Sequence, residues 1–308
     1  MKFQLLVREI IFKILCRHTQ GQKDNIFLFA NRRSGSTWML NTIASEKGMR
    51  YVGRPLYAMN HGRYKSTLPP SAQADPIIFV EEKDLIHFKK TMTKLAKARI
   101  EPYPYLNFTT PWFEKKTNRV IYQMTAGIPM IDWFTNEIPA TSIWLHRHPI
   151  PNALSIKKLN WTHRLNSFIK CKKFAETFLT GEKIDLINHI ISNDFTKNNL
   201  TAHTAECCLW SIGPIHSIKN NSNSWKAYSY ESLVKNLEFT LSDIIKNCQL
   251  NSKDMIYEQA RRPSRNISTE SKKEGNFSEI TWTKKLKKSE IKDLNNIVKK
   301  LTGDFFQK

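Results

Sequence analysis

The sequence predicts an α/β fold in which helices flank a parallel sheet. Two observations predict it: short apolar runs typical of buried strands alternate with helical periodicity, and segments rich in Pro, Tyr, Asn and Thr, expected as long loops, lie at 55–76 and 101–118. Helical patterns are expected mainly at 160–221 and 284–300. The predicted strands are Ile26–Ala30, Ile77–Val80, Val120–Met124, Ser142–His146 and Trp225–Tyr230.

The composition is that of a globular protein with a large excess of positive charge. The 308 residues are 40% hydrophobic and carry 48 Lys and Arg against 27 Asp and Glu, a formal net charge of +21. No charge-free stretch is long enough to predict a membrane-spanning helix. The charge leaves two interpretations open, a nucleic-acid or polyanion binder and a solvated, Lys-rich surface. The five cysteines are odd in number and lack a C-x-x-C spacing, which indicates a reducing, cytoplasmic compartment.

Residues 1–24 are expected to form an amphipathic helix or extension ahead of a single domain at 25–308. Phe3, Val7 and Ile10 recur at helical spacing, with charged residues mostly on the other side. Those charges interrupt the apolar core that a secretory signal needs. Two interpretations stay open: residues 1–17 attach peripherally to an anionic membrane surface, or the helix packs on the protein itself or on a partner.

Residues 26–43 combine an apolar strand, a polar turn and the start of a helix. Gly35 allows close approach of a ligand, the hydroxyls and amides of Ser36 and Thr37 can donate to phosphate oxygens, and the helix start adds its positive dipole end. Arg33 supplies a permanent positive charge. The turn is therefore P-loop-like, although it lacks the G-x-x-x-x-G-K-[S/T] sequence of nucleotide triphosphatases. An ordinary helix cap explains the same residues.

A second predicted strand, Ser142–His146, leads directly to Arg147 and then to Ser155 in the next helix. Pro149 and Pro151 suit the first turn of that helix. The side chains of Arg147 and Ser155 can then point to the crevice at the carboxyl ends of the strands, where open α/β sheets bind ligands. A solvated Arg with a Ser on the helix surface is the alternative.

Together, R-S-G-S-T-W and the later R-x7-S resemble the sulfotransferase family. The resemblance implies the sulfotransferase fold, a P-loop-like parallel sheet flanked by helices, and the transfer of a sulfuryl group from 3′-phosphoadenosine-5′-phosphosulfate (PAPS). It implies that Arg33 contacts the transferred group and the bridging oxygen, while Arg147 and Ser155 hold the 3′-phosphate. Trp38 would pack on the adenine, or it is a core aromatic. The residues implied to line the 5′-phosphate are Ser34, Gly35, Ser36 and Thr37.

Two further segments resemble parts of the family that lie near the nucleotide. The Y-E-S-L segment implies that Tyr230 contacts the adenine, although a Tyr at the boundary between core and water explains it as well. The R-R-P-S and K-K-E-G segments imply contacts from Ser264 and Lys273, with Arg262 and Lys272 as alternatives.

The G-R-P segment Gly53–Pro55 makes the chain most similar to bacterial carbohydrate-type enzymes of the family, such as trehalose 2-sulfotransferases. A carbohydrate, glycolipid or other small hydroxylated acceptor is therefore implied. Neither base known in the family is matched, because Tyr57 and Thr125 stand at those positions. His61 is expected as the general base, and a surface His without a role is the alternative. Four other candidate bases are Asp75, Glu81, Asp132 and His148.

Three functions from different classes stay open. The first is a PAPS-dependent sulfotransferase, for which no metal is expected because a sulfuryl group carries less charge than a phosphoryl group. The second is a P-loop-type kinase or phosphotransferase, which the missing loop Lys disfavours. The third is a basic polyanion-binding protein, which the scattered lysines disfavour, so that no nucleic-acid partner is expected.

Overall fold

The computed structural model describes residues 17–61, 65–73, 77–100, 114–193, 199–221, 224–262 and 282–307. Within them the strands are β1 Arg17–His18, β2 Ile26–Ala30, β3 Met49–Val52, β4 Lys116–Thr117, β5 Arg119–Gln123, β6 Thr141–His146 and β7 Lys226–Ser229. Five form one sheet in the order β3-β5-β2-β6-β7, and every neighbouring pair is parallel. Helices flank this sheet, so the predicted α/β fold is confirmed.

Helices occupy most of the chain between and after the strands. Those of the described residues are α1 Ser36–Ala44, α2 Pro55–His61, α3 Leu85–Ala96, α4 Ile131–Glu137, α5 Pro149–Lys157, α6 Leu165–Lys170, α7 Lys172–Phe178, α8 Gly181–Ser192, α9 Leu200–Lys219, α10 Tyr230–Lys235, α11 Leu237–Asn247, α12 Lys253–Ala260 and α13 Lys288–Thr302. The helical patterns predicted at 160–221 and 284–300 are thus confirmed, with shifted ends.

The central strand β2 divides the interior into two apolar layers, because alternate side chains of a strand point to opposite faces. Phe27 and Phe29 belong to the layer that also contains Trp210 of α9. Leu28 lies in the other layer, with Ile43 of α1 and residues of α11 and α12. Both faces are therefore covered, which explains why the strands read as continuous apolar runs.

One predicted strand is wrong. Ile77–Val80 is not a strand, although Ile77, Ile78 and Val80 are buried. The amide of Ile78 donates to the carbonyl oxygen of Ala126 at 2.9 Å, outside any strand ladder. The run is apolar because its side chains are buried, and an apolar run does not show which groups its backbone will bond to. The other four predicted strands are confirmed to within a residue or two at their ends.

The loop expected at 55–76 is wrong in its first part. Pro55–His61 is a helix that begins with proline, which suits the first helical position, and it buries Leu56 and Met59 one turn apart. Short 3₁₀ helices follow at Lys65–Thr67 and Pro70–Gln73. Of the other expected loop, residues 101–113 lie outside the described residues, and β4 forms where the rest was expected to be loop.

The strand order places a topological switch point between β2 and β6. The chain leaves β2 toward β3 on one side of the sheet, and it leaves β6 toward β7 on the other. Connections that diverge in this way open a crevice at the carboxyl ends of the two strands. The residues that follow β2, β6 and β7 therefore meet at one edge of the sheet.

An aromatic cluster closes the carboxyl end of β6. The His146 ring lies 4.5 Å from that of Trp144, 5.4 Å from that of Phe305 and 5.8 Å from that of Phe306, measured between centroids. Both phenylalanines belong to a 3₁₀ turn, Gly303–Phe306, which directly follows α13. This turn consequently covers the strand end from which the next loop departs.

We expect the stability of the fold to fall as the pH is lowered from about 6.5 toward about 4, partly because of His146. Burial lowers the pKa of His146 from 6.5 to about 4, so its ring stays neutral in the folded chain across this range. The unfolded chain takes up a proton there, which favours unfolding as the pH falls. Urea unfolding near neutral pH and near the lower limit should therefore show a smaller loss of stability in His146→Phe than in the parent chain. Equal losses would contradict this role of His146.

Candidate functional site

Two left-handed backbone conformations shape the turn between β2 and α1. Arg33 has φ of 63° and Gly35 has φ of 90°, a region that glycine enters without steric cost. The hydroxyl of the buried Ser34 donates to the carbonyl oxygen of Asn31 at 2.7 Å and closes the turn. Because α1 begins at Ser36, the free amides of its first turn lie at the carboxyl end of β2.

The ring of Tyr230 packs directly on this turn. A Cβ atom on Gly35 would lie 2.6 Å from Cδ2 and 2.9 Å from Cε2 of Tyr230. Both distances are shorter than any ordinary van der Waals contact. Gly35 is therefore required by the approach of Tyr230 as well as by its own backbone conformation.

The two predicted phosphate-binding segments are in direct contact. Nε of Arg33 donates to Oγ of Ser155 in α5 at 3.0 Å, and Nη1 of Arg147 donates to the carbonyl oxygen of Arg33 at 3.2 Å. Arg33 follows β2, whereas Arg147 follows β6. The switch point of the sheet thus brings together residues more than a hundred positions apart in the chain.

The electrostatics of this cluster favour a negatively charged ligand. The guanidinium carbon of Arg147 lies 4.6 Å from the centroid of the Tyr230 ring, a cation–π contact. Burial and the neighbouring charge of Arg147 lower the pKa of Arg33, and burial raises the pKa of Tyr230. Nε of Arg147 is buried and makes no hydrogen bond with any residue that the structure describes. An anion would relieve both the like-charge repulsion and the unsatisfied donor.

A buried ion pair holds the residue that precedes Arg33. Nη2 of Arg32 donates to Oε1 of Glu206 at 2.6 Å, and the side chains are only 12% and 1% exposed. The carboxylate of Glu206 also accepts from the amide of Arg164 at 3.0 Å and from the indole of Trp210 at 3.3 Å. Arg32 is thereby neutralised within the protein.

Two amide side chains complete the support of the turn. The amide of Asn152 in α5 lies 2.8 Å from the carbonyl oxygen of Arg32 and 3.2 Å from that of Arg33, and its NH₂ group donates to both when turned toward them. Nε2 of Gln123, the last residue of β5, donates to the hydroxyl of Ser36 at 3.0 Å. The Ser36 oxygen is thus fixed at the helix start.

Trp38 and Thr37 lie in different environments although they are adjacent. Trp38 is 6% exposed, belongs to the apolar layer under α1, and its indole donates to the carbonyl oxygen of Ala260 at 3.0 Å. These contacts favour the alternative of a core aromatic over a contact with adenine. Thr37 is exposed and accessible to a ligand at the turn.

Several predicted site residues cannot be placed by their side chains. Ser264, Lys273 and Asp75 lie outside the described residues, and His61 ends α2 with its side chain outside them. At the two positions where the family carries its bases, Tyr57 is half exposed, and Thr125 donates to the carbonyl oxygen of Ala30 at 2.9 Å.

The remaining candidate bases have structural partners. Asp132 accepts hydrogen bonds from the hydroxyl of Ser217 and, at 2.6 Å, from the indole of Trp225. Glu81 is exposed and pairs with Lys83 at 2.8 Å. Both carboxylates therefore have a partner within the protein.

Sequence reasoning missed Glu206, Asn152 and Gln123. Each is a polar residue in a helix or strand that is rich in apolar residues, and the available signal was that a polar residue there needs a buried partner. It also missed Glu231, whose carboxylate accepts from the amide of His148 at 2.9 Å.

In the described ranges, no group of three or more His, Cys, Asp and Glu side chains is arranged to hold a metal ion. Nor does any helix there combine the length and apolar character needed to cross a membrane.

Comparisons with known proteins give structural similarities alone. No protein-family model matches the chain, and a search of curated proteins gives no match either. Mouse sulfotransferase SULT7A1 complexed with PAP is 12% identical, with 94% of this chain and 88% of that chain covered and a TM-score of 0.43.

Two bacterial structures are similar with lower TM-scores. A sulfotransferase from Alicyclobacillus acidocaldarius is 7% identical, with coverages of 94% and 100% and a TM-score of 0.37. Sulfotransferase STF1 from Mycobacterium tuberculosis is 12% identical, with coverages of 89% and 80% and a TM-score of 0.35. Such values leave the function to be inferred from the chain's own residues.

Replacing Glu206 by Ala should lower the free energy of unfolding by about 3 kcal/mol, because the charge of Arg32 stays buried without its partner. Urea unfolding followed by fluorescence measures the change. The control is Glu258→Ala, which removes an exposed pair with Arg262 and should cost about 0.5 kcal/mol or less. Equal losses in the two variants would show that the Arg32–Glu206 pair contributes no more than a surface pair.

Proposed function

We propose that the chain transfers a sulfuryl group from PAPS to a hydroxyl group of an acceptor. The observation that carries the proposal is the convergence of Arg33, Arg147, Ser155 and Tyr230 at the switch point of the sheet. A nucleotide with separate 5′ and 3′ anionic groups needs two cationic positions and an aromatic surface. The cluster offers all three within one crevice.

The 5′ end of the donor fits the turn after β2. The amides at the start of α1 and the Ser36 hydroxyl are donors there, and Gln123 fixes the position of that hydroxyl. The positive end of the helix dipole favours the same negative charge. We therefore assign the 5′-phosphosulfate to residues 34–37.

The 3′-phosphate fits the turn after β6. Arg147 has a buried Nε–H that the described residues leave unsatisfied, and an arginine fork suits a phosphate group. Ser155 lies on the adjoining helix and adds a hydroxyl. The Tyr230 ring, between Arg147 and Gly35, is the aromatic surface nearest to both ends.

The reaction is an in-line displacement at sulfur. The acceptor oxygen bonds to sulfur as the bond from sulfur to the bridging oxygen breaks, and the departing phosphate takes the electron pair. Arg33 stabilises the charge that grows on the bridging oxygen, since positioning and electrostatic stabilisation dominate transfers of this kind. To do so, its guanidinium turns from Ser155 toward the donor.

The acceptor hydroxyl loses its proton to a general base, for which we retain His61. The residues at the carboxyl end of β5 are poor candidates, because Gln123 and Thr125 already donate to Ser36 and to the backbone of Ala30. The acceptor that we propose is a carbohydrate, glycolipid or other small hydroxylated molecule, as the Gly53–Pro55 segment implies. A cytoplasmic location with peripheral membrane attachment through residues 1–17 belongs to the same proposal.

Thermal shift should separate the three candidate functions. Adenosine-3′,5′-bisphosphate is expected to raise the melting temperature at micromolar concentrations, because it carries both anionic groups that the crevice fits. ATP and a random oligonucleotide should have much smaller effects. A shift with ATP or the oligonucleotide and none with the bisphosphate would overturn the sulfotransferase assignment.

Arg147→Ala should weaken binding of the bisphosphate about 10- to 100-fold, as expected for losing hydrogen bonds to a charged group. Binding of adenosine-5′-phosphate, which lacks the 3′-phosphate, should change about threefold or less. Isothermal titration at fixed ionic strength measures both. The matched control is the exposed Arg99→Ala. Arg99 follows α3, and the end of α3 contacts Asn25 just before β2, so Arg99 lies near the amino ends of the strands, away from the crevice. Equal weakening for the two nucleotides would show that Arg147 does not bind the 3′-phosphate.

A further inference from the structure

His148 connects three parts of the site that the mechanism uses. It follows Arg147 directly and caps α5, the helix that carries Ser155. Its backbone amide donates to Oε1 of Glu231 at 2.9 Å, next to Tyr230. His148 is thus linked to the segments that carry all three residues of the proposed 3′-phosphate site, namely Arg147, Ser155 and Tyr230.

The side chain of His148 makes a further hydrogen bond, in which Nδ1 accepts from the amide of Ile150 at 3.3 Å. This contact caps α5. With Nδ1 as acceptor, the neutral ring carries its proton on Nε2.

Aromatic packing holds the same ring on two sides. The ring of Trp282 stacks on it at 5.8 Å with planes 20° apart, and the ring of Phe306 meets it edge-on at 5.7 Å. Phe306 is 8% exposed, so the turn Gly303–Phe306 is firmly docked on the loop after β6. The proposed reaction does not itself require these aromatic contacts next to Arg147.

We propose that His148 is a positioning residue that couples the turn Gly303–Phe306 to the loop of Arg147 and thereby determines the affinity for the 3′-phosphate. The inference rests on the proposed function for the identity of the ligand. Its physical basis is that a flexible arginine binds a phosphate weakly unless the loop beneath it is fixed. Side-chain cap, backbone amide and aromatic packing all fix this loop through His148.

His146 provides a matched control for His148. It lies two residues away, packs on the same Phe306, and is half-buried like His148. Its Nδ1, however, makes no hydrogen bond to any described residue, and burial alone lowers its pKa. His→Phe at either position keeps an aromatic ring against Phe306, but only at position 148 does it remove the cap of α5.

The experiment titrates adenosine-3′,5′-bisphosphate and adenosine-5′-phosphate into the full chain and its variants. His148→Phe should weaken the bisphosphate about fivefold, as loss of the helix cap implies, and the monophosphate about twofold or less. His146→Phe should change both about twofold or less. Equal weakening of both nucleotides in His148→Phe, or equal behaviour of the two variants, overturns the proposal. If His148→Phe does not fold, His148→Asn replaces it. Asn can cap α5 but lacks the ring that packs on Phe306, so a smaller selective loss is expected, and no selective loss overturns the link.

Amide hydrogen exchange without nucleotide separates this proposal from the proposed function. Exchange in the peptide that contains the Ile150 amide should be faster in His148→Phe than in the parent chain, and unchanged in His146→Phe. If the parent chain binds neither nucleotide, the proposed function fails, while the exchange comparison still decides whether His148 fixes the loop. Phe306→Ala, which removes the docked ring, should give the same selective loss of bisphosphate affinity; an unchanged affinity would exclude the turn from this role.

Discussion

Two arginine side chains held close together at the end of a buried sheet are the constraint on which the site depends. Like charges repel and lose hydration on burial, so Arg33 and Arg147 need compensation. The chain supplies dipoles and a π face, through the hydroxyl of Ser155, the carbonyl oxygen of Arg33 and the ring of Tyr230. It supplies a carboxylate to Arg32, the neighbour whose charge is cancelled by Glu206. The contacts of Arg147 with described residues are a carbonyl oxygen and an aromatic ring, so its positive charge remains available to an anion.

The parallel sheet explains why such distant residues can meet with this accuracy. Adjacent strands lie about 4.8 Å apart, so the first residues after β2 and after β7 each lie little more than one strand spacing from those after β6. Strand pairing does not determine the direction of the turn that follows each strand. Gly35 allows one turn to pass beneath Tyr230, and His148 ties the next one to Glu231 and Phe306. The site is thus fixed by contacts behind it as much as by the residues that face the ligand.

The sequence predicted those parts of the fold that depend on local pattern. β2 and β6 lie inside the sheet and are buried on both faces, so the sequence shows them as apolar runs. β3 was missed because Arg50 and Tyr51 give this edge strand a mixed pattern of polar and apolar residues. Ile77–Val80 was wrongly predicted because packing, without sheet pairing, accounts for its apolar character. Arg33 and Arg147 were both predicted to lie at the carboxyl ends of strands, because each follows an apolar run. The ion pair of Glu206 was not predicted, since a charge inside an apolar helix reveals neither its partner nor the distance to it.

The contrast between local and total charge also explains why a net charge of +21 is a poor guide to the ligand. Exposed charges act over about 8 Å at physiological ionic strength, so scattered lysines contribute mainly a screened, nonspecific attraction. Arg33 is different, since burial and a second arginine already lower its pKa, and a bound anion would gain an interaction that water does not weaken. In the proposed function, specific recognition therefore depends on two residues in the crevice, Arg33 and Arg147, and the remaining excess of positive charge is free to serve solubility or attraction to a broad anionic surface.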